Sequence, residues 1–457
     1  MKGHPPDPSA IIGEMGPTRL LGSWRTLPAR VAYILVAQSL YWIAVVWRRL
    51  LFRTRFVAIT GSHGKTTAKE LLAAILASSA PTLKSTRNQN TGLALTRGVL
   101  RARPWHRFAV IEVAVGGPGE MHRLARLVRP DLAIVLSVLG SHMRTFRTLE
   151  AHAAEKAILL QHLRRGGAAV LNADDPRVAA MAGSVRGTVL RCGSSPAFDA
   201  WADAVAARWP ARLEFDLHIR GAQSCHVRTR LVGRHWCTSV TAALAAAWHL
   251  GVPPQQAAAA VASVDPFAGR LQPVVLPSGA VVLRDEYDGS FDTFAPGVAI
   301  MADARAGRRV AVISDVSDFG NTMKRRRIAR LAREIAGVAE AAVFVGTDAK
   351  YGERAAIASG LAAENVHAFT VLREAAEFLR TELRAGDLVF LKGRVSDHLA
   401  RVFFAQLGPI RCWITHCHKV IECDFCPELG LAPHDRMRAG TCAPSWDGSP
   451  KSQHPEP

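Results

Sequence analysis

Between Val57 and Glu70 the chain reads VAITGSHGKTTAKE, which sets a lysine and two hydroxyls directly behind a pair of glycines. Gly61-Ser62-His63-Gly64-Lys65-Thr66 fits the short pattern G-x-x-G-K-T. The long phosphate-loop pattern fails, because its first glycine would fall at Ile59. Backbone N–H groups of such a loop, with a helix N-terminus behind them, converge on one anion. Gly61, Ser62, His63, Gly64, Lys65, Thr66 and Thr67 are therefore expected to cradle the phosphates of ATP. Lys65 would reach the outer phosphates and Thr66 would hold Mg²⁺. A second group is Cys412-x4-Cys417-x5-Cys423-x2-Cys426, four thiols in one short segment. That is the count for a closed tetrahedral Zn²⁺ site, with His416 and His418 as substitutes and an iron–sulfur cluster as the competitor. The third is Glu112, a carboxylate inside the apolar run RFAVIEVAV. Burying it is costly unless something binds it.

The loop needs a strand before it and a helix after it, and the sequence supplies both. Phe56 to Thr60 is a short β-branched and apolar run, and AKELLAAILASSA repeats its apolar residues at helical spacing. Further strands are predicted at RFAVIEVAV, at RPDLAIVLSVLG ending on Ser141 and His142, and at GGAAVLNADDP ending on Asn172 and Asp174. Strands alternating with helices, and polar residues gathered at strand ends, indicate an open parallel α/β sheet with ligands at its carboxyl edge. From about Ser195 to Arg230 short alternating runs suggest antiparallel strands. Pro266, Gly269 and Pro273 mark a boundary, and RRVAVISDV, EAAVFVG and DLVFLKG give a second, Rossmann-like α/β unit ending near Gly408.

Hydrophobic residues make up 49 % of the 457 residues and charged residues 21 %, enough for two or three domains. The formal net charge of +19 suits an anionic membrane surface or phosphorylated substrates. No basic run is interleaved with aromatics, so no nucleic-acid partner is expected. The densest cluster, Lys324 to Arg327 with Arg330 and Arg333, reads as one solvated helix face. No secretory signal opens the chain, and clustered cysteines in a reducing cytoplasm suggest metal rather than disulfides.

Val31 to Trp47 is almost entirely apolar and is followed by Arg48, Arg49, Arg53 and Arg55, with Tyr33, Tyr41, Trp42 and Trp47 as candidate interfacial anchors. Its length sits at the lower limit of about 17 residues for a span. Membrane attachment at the inner face is expected, spanning or lying flat; a helix packed on the following domain is the alternative.

The stretches ITGSHGKTT, VIEVAVGGPGEM, GSHMRTFRTLEAHAAEKAIL, LNADDP, VGRH, FAGRLQP, DEYDGSFDTF and ISDVSDFG follow one another in the order seen in Mur ligases. The chain resembles that family over roughly residues 56 to 408, most nearly the member that adds a dipeptide amine. The resemblance implies an ATP- and Mg²⁺-dependent ligase that joins a carboxylate to an amino-acid or dipeptide amine through an acyl phosphate. It implies that Thr66, Glu112 and His142 hold Mg²⁺, that Lys156 is the lysine carbamylated in several members, and that Asn172 and Asp174 lie near the nucleotide. It further implies that Arg270 reaches the γ-phosphate from the hinge, that Asp285 contacts nucleotide from the second unit, and that Lys65, Lys156, His142 and Arg270 are catalytic.

The resemblance is not uniform. Gly233-Arg234-His235-Trp236-Cys237-Thr238-Ser239 lacks both asparagines of the family's adenine-side motif, and Trp236 is the candidate to stack on the base instead. Only about 55 residues precede the first strand, so the family's N-terminal UDP-sugar domain is not expected and a UDP-linked substrate is the least secure inference. The organisation expected is 1–55 hydrophobic segment, 56–264 ATP-binding domain, 265–409 C-terminal domain, 410–430 cysteine-rich site and 431–457 disordered tail. A poly-γ-glutamate-like synthase is the alternative within this chemistry; a membrane-bound P-loop ATPase or pseudoenzyme scaffold is the alternative outside it.

Overall fold

The computed structural model of the protein describes residues 27–86, 90, 92–140, 143–287, 289–316, 323–414, 417 and 422–431. His142, His416, His418 and the tail beyond Leu431 lie outside the described residues, as does the side chain of Tyr33.

A nine-stranded sheet has the order β2-β3-β1-β4-β5-β6-β7-β8-β9. Its strands are β1 (Arg55–Thr60), β2 (Thr82–Lys84), β3 (Phe108–Glu112), β4 (Leu132–Val135), β5 (Ala168–Asn172), β6 (Thr188–Gly193), β7 (Ala200–Ala206), β8 (Glu214–Ile219) and β9 (Cys225–Arg228). Strands β1, β3, β4 and β5 are runs such as FAVIE and LAIV, buried on both faces, as parallel strands covered by helices require. β7, β8 and β9 pair antiparallel and alternate buried with exposed residues, as the sequence between 195 and 230 predicts. β1 lies between β3 and β4, so the connections leaving it run to opposite sides. A crevice opens at such a switch point, at the carboxyl end of β1.

The second sheet has the order β10-β11-β15-β12-β13-β14. It comprises β10 (Gln272–Val275), β11 (Val281–Asp285), β12 (Arg308–Ile313), β13 (Ala341–Val345), β14 (Val366–Phe369) and β15 (Asp387–Lys392), with only β10 antiparallel. Helices used below are α1 (Leu27–Leu50), α2 (Lys65–Ala77), α3 (Gly92–Leu100), α4 (Glu120–Val128), α5 (Leu149–Gln161), α6 (Cys237–His249), α7 (Lys324–Ala336) and α8 (Ala400–Leu407).

Two expectations are corrected and a third is not shown. First, no helix among the described residues is long and apolar enough to cross a membrane. The apolar segment forms α1, which lies on α3 and α4 and buries Tyr41, Ala44 and Val45. Arg48 fixes it there: its guanidinium donates to the carbonyls of Val128 and Arg129 at 2.7 Å and to Asp131 at 3.0 Å. That arginine was counted among the basic flank of a span; it is instead a buried clamp between helix and sheet.

Second, the basic cluster on α7 is not wholly solvated. Lys324, Arg325, Arg326, Arg330 and Arg333 are exposed, but Arg327 is buried and pairs with Asp315 at 2.8 Å.

Third, no three His, Cys, Asp or Glu side chains among the described residues form a group that could hold a metal ion, although Cys412, Cys417, Cys423 and Cys426 are all among them. The zinc expectation therefore finds no assembled site. Cys423 Sγ lies 3.8 Å from His398 Nδ1 instead. The turn between Cys423 and Cys426 is oriented by Asp424, which accepts from Arg284 at 2.9 and 3.0 Å and from the Tyr287 hydroxyl. Arg284 is 1 % exposed, also pairs with Glu286, and lies 4.3 and 5.0 Å from the ring centres of Phe403 and Phe404 on α8. Burial pushes the Asp424 carboxyl up, but Arg284 outweighs it and holds the group ionised below its usual range.

Candidate active site

The loop leaves β1 at Thr60 and enters α2 at Lys65. Gly64 has φ 77° and caps α2, and a Cβ there would collide with Ser239 Oγ on α6, so the position requires glycine twice over. The segment after β4 braces the loop. Ser62 N donates to Ser137 O at 2.8 Å, His63 N to Ser137 Oγ at 3.1 Å, and Leu139 N to Ser62 Oγ at 2.8 Å. Lys65 Nζ folds over the loop and donates to the carbonyls of Gly61 at 2.7 Å and Ser62 at 3.0 Å. This holds the ammonium beside the helix N-terminus, where an anion would meet both. Thr67 turns inward, and its buried hydroxyl has no hydrogen-bond partner.

Glu112 ends β3, one strand from the loop, and is 1 % exposed. Register places it opposite Ile59, so its carboxylate reaches the loop helix. Oε2 accepts from the Thr66 hydroxyl at 2.9 Å and Oε1 from Asn90 Nδ2 at 2.7 Å. Lys69, one helical turn after Thr66 and fully buried, places its ammonium 4.0 Å from Glu112 and donates to Ser85 O at 3.1 Å. The costly carboxylate is thus bound from three sides. Sequence reasoning missed Asn90 and Lys69. The signal for Lys69 was present, since a lysine four residues after Lys65 in an alanine- and leucine-rich helix faces the same strand ends.

Mg²⁺ takes oxygen ligands, prefers one or two carboxylates, and completes its shell with water and substrate phosphate. Thr66 Oγ1 and Glu112 Oε2 form a hard-oxygen pair at the phosphate loop and fit that pattern. His142 lies outside the described residues.

Lys156 comes from α5 and is buried beside the same loop. Its neighbour Glu155 fixes the register by accepting from Gly119 N at 2.8 Å and Met121 N at 2.7 Å at the start of α4. Burial, and then the positive charge of Lys65, push the Lys156 amine far below the ordinary lysine range, against a smaller opposing pull from Glu155. Lys156 is 3 % exposed, so its amine is enclosed and close to Lys65.

Asn172 and Asp174 brace the floor. Asn172 Nδ2 donates to Leu136 O at 2.8 Å, its Oδ1 accepts from Asp174 N at 3.1 Å, and Asp174 accepts from Ser194 N at 3.1 Å. Arg270 follows Gly269, whose φ of 64° lets the backbone pass under the Tyr287 ring; a Cβ there would strike the ring. Tyr287 N also donates to Gly269 O at 3.1 Å, tying the hinge to the end of β11. Asp285 is buried and accepts from Lys392 Nζ at 2.6 Å, a partner that sequence reasoning did not identify.

The two units meet at His235. Burial, then the nearby charges of His63 in the loop and Lys392 at the end of β15, push the imidazole down to about 3. Trp236, the candidate for base stacking, is 8 % exposed and packed in the core beneath the first sheet, which removes it from that role.

Two family models match the chain: Mur ligase middle domain over residues 59–247, and Mur ligase, glutamate ligase domain over residues 269–395. The UDP-N-acetylmuramoyl-tripeptide–D-alanyl-D-alanine ligase of Mycobacterium tuberculosis H37Rv is 32 % identical over 378 residues, covering 78 % of this chain and 73 % of its own. The protein of the same name from Escherichia coli K12 is 30 % identical over 277 residues, 60 % of each chain. Among solved structures, a MurF from Acinetobacter baumannii superposes with a TM-score of 0.74 at 23 % identity, covering 81 % of this chain and 80 % of the other. The MurF ligase from Thermotoga maritima in complex with ADP gives 0.70 at 20 % identity over 81 % and 83 %.

Proposed function

The chain belongs to the Mur ligase family, and on that premise we propose that it joins a peptide carboxylate to the amine of D-alanyl-D-alanine in peptidoglycan precursor synthesis. It is an ATP-dependent amide-bond-forming ligase of MurF type. The carboxylate proposed is the peptide end of a UDP-linked muramoyl tripeptide, the substrate named for its relatives, and the cytoplasm, where ATP is available, is the compartment. Residues 56–264 are proposed as the ATP-binding domain and 265–409 as the domain that presents the amine.

The observation that carries the reading is Thr66 hydrogen-bonded to Glu112 beside the Lys65 loop at a sheet switch point. A substrate carboxylate oxygen attacks the γ-phosphorus of ATP; the bond to the β–γ bridging oxygen breaks and ADP leaves. Lys65 and the loop amides meet the charge that builds on the phosphoryl oxygens. Arg270 would approach the same group from the hinge, and Asp285 would face nucleotide from the second unit. Thr66 and Glu112 would hold Mg²⁺, with His142 proposed for a second ion, and the metal would supply further charge neutralisation. The amine lone pair then attacks the acyl carbon, inorganic phosphate departs, and the nitrogen sheds a proton. Asn172 and Asp174 keep the floor of the nucleotide site in register.

Lys156 is the residue proposed for carbamylation. Attack of a neutral amine on CO₂ forms a carbamate and releases a proton, and burial beside Lys65 favours that neutral amine. The product is an anion next to Lys65, so a neutral neighbour becomes a counterion for that ammonium.

The test is phosphate release with UDP-muramoyl tripeptide and D-alanyl-D-alanine, and mass spectrometry for the new amide. Amide formed from that pair supports the reading. ATP turnover stimulated only by glutamate and its oligomers would move the assignment to a poly-amino-acid synthase, an alternative that the relatives described above do not favour.

A further inference from the structure

Helix α1 is apolar on both faces, but only one of them is covered. A helix that is hydrophobic all round belongs in a protein interior or against lipid. Tyr41, Ala44, Val45 and Arg48 face the first sheet's helices. On the opposite side Leu35, Ile43, Val46 and Leu50 are 61 %, 56 %, 54 % and 62 % exposed. Spaced at eight, three and four residues, they form one stripe along the helix.

The stripe continues past the helix end. Phe52 is 68 % exposed and Trp105 69 %, on two segments that run side by side: Thr54 Oγ1 donates to His106 O at 2.8 Å, and Arg55 N to Arg107 O at 2.9 Å. Arg49, Arg53 and Arg103 on these segments are exposed, and Arg126 of α4 lies over the Trp42 ring at 4.8 Å. Residues 31–55 and 98–107 contain no Asp or Glu. The apolar stripe therefore carries a rim of one sign only.

We propose that this face is a docking surface for an anionic lipid bilayer, with α1 lying in the plane of the headgroups rather than crossing them. Leucine, isoleucine and aromatic side chains enter the acyl boundary while arginines contact lipid phosphates, the arrangement of an interfacial helix. A protein partner or a second copy would have to offer a large apolar surface ringed by acidic groups. This chain is short of acidic residues, 38 against 57 basic ones, so a second copy does not supply that charge. The stripe and its rim include none of the candidate active-site residues, Lys65, Thr66 and Glu112 among them.

The experiment is co-sedimentation of the full chain with vesicles of phosphatidylglycerol and phosphatidylcholine in equal parts, against phosphatidylcholine alone. Binding to the anionic vesicles is expected to be stronger by about fivefold for each arginine engaged, and to weaken with salt. Ile43→Glu/Val46→Glu should stay in the supernatant with unchanged ATP turnover. Phe52→Ser/Trp105→Ser, which leaves the helix intact, should lose part of the binding. Wild-type protein that ignores both vesicle types overturns the proposal, as does a glutamate variant that sediments like wild type. Absence of vesicle binding with a dimer that the glutamate variant splits, read by light scattering, would assign the face to a second copy instead.

Discussion

Lys392 Nζ donates to Asp285 Oδ2 across 2.6 Å and joins the ends of two neighbouring parallel strands, β15 and β11, with both side chains closed to solvent. The same ammonium donates to Thr293 Oγ1 at 2.7 Å. Removing one member of a buried pair strands the other charge, which costs about 3–5 kcal/mol, whereas replacing both by apolar groups is much milder. Lys392→Met is expected to lose that much in urea unfolding, and Lys392→Met/Asp285→Leu to regain most of it. Equal losses in the single and double variants would show that the pair is not the source.

Lys65→Ala is expected to lower ATP turnover by roughly a hundredfold or more, the scale for removing one donor to developing phosphoryl charge. Its far-UV circular dichroism and unfolding midpoint should stay near wild type, because the carbonyls of Gly61 and Ser62 that Lys65 bonds belong to its own loop. Turnover near the wild-type rate would remove the phosphate role from this lysine.

Glu112→Gln keeps the shape of the Thr66 and Asn90 contacts but removes a charge from the hard-oxygen pair. The Mg²⁺ concentration for half-maximal turnover should rise by about tenfold or more, as loss of one anionic ligand implies. Lys69 would then face a neutral amide, so the variant should also be less stable. An unchanged Mg²⁺ titration would place the ion elsewhere.

A buried amine kept neutral beside Lys65 should take up CO₂. Protein equilibrated with ¹³C-bicarbonate is expected to show a carbamate resonance that Lys156→Ala lacks, and activity in CO₂-depleted buffer should recover on adding bicarbonate. Carbamate formation needs the free amine, so the signal should fade as pH drops and Lys156 competes for a proton. A resonance that survives in the alanine variant would belong to another group.

His235 is pushed down to about 3 from 6.5. Between those values the unfolded chain takes up a proton that the folded chain does not, so stability falls as pH drops below about 6.5. The full slope is about 1.4 kcal/mol per pH unit; His235 keeps some solvent contact, so less is expected. His398 is lowered to about 4, chiefly by burial, and adds to the same window. Unfolding midpoints of His235→Gln between pH 6.5 and 5 should therefore show a shallower decline than wild type, without becoming flat. Parallel curves would show that the imidazole is not buried neutral.

The phosphate loop was legible because its chemistry is local: two glycines, a lysine and a hydroxyl between a strand and a helix. Glu112 was legible as an anomaly, a carboxylate where an apolar residue belonged. Asn90 and Lys392 were not, since each acts across a distance in sequence, and only strand register and helix docking bring them to their partners; for Lys69 the four-residue spacing from Lys65 was the available signal. α1 was legible only as an apolar segment, and a span was the wrong part of its reading. Its hydropathy reports that apolar surface must be covered, and a sheet's helices can cover one face as lipid would. The four cysteines have metal-like spacing, but spacing does not fix the direction of a thiol, and Asp424 between them is drawn to Arg284.

That last pairing sets a rule for cutting and exchanging pieces of this chain. The match to the family ends at residue 395, yet Asp424 supplies the salt bridge that lets Arg284 sit enclosed beside Phe403 and Phe404. A chimera that swaps the second unit at the family boundary would leave behind one of the two counterions of Arg284 on β11. Residues 422–431 must travel with β11, or Arg284 must be exchanged in the same step.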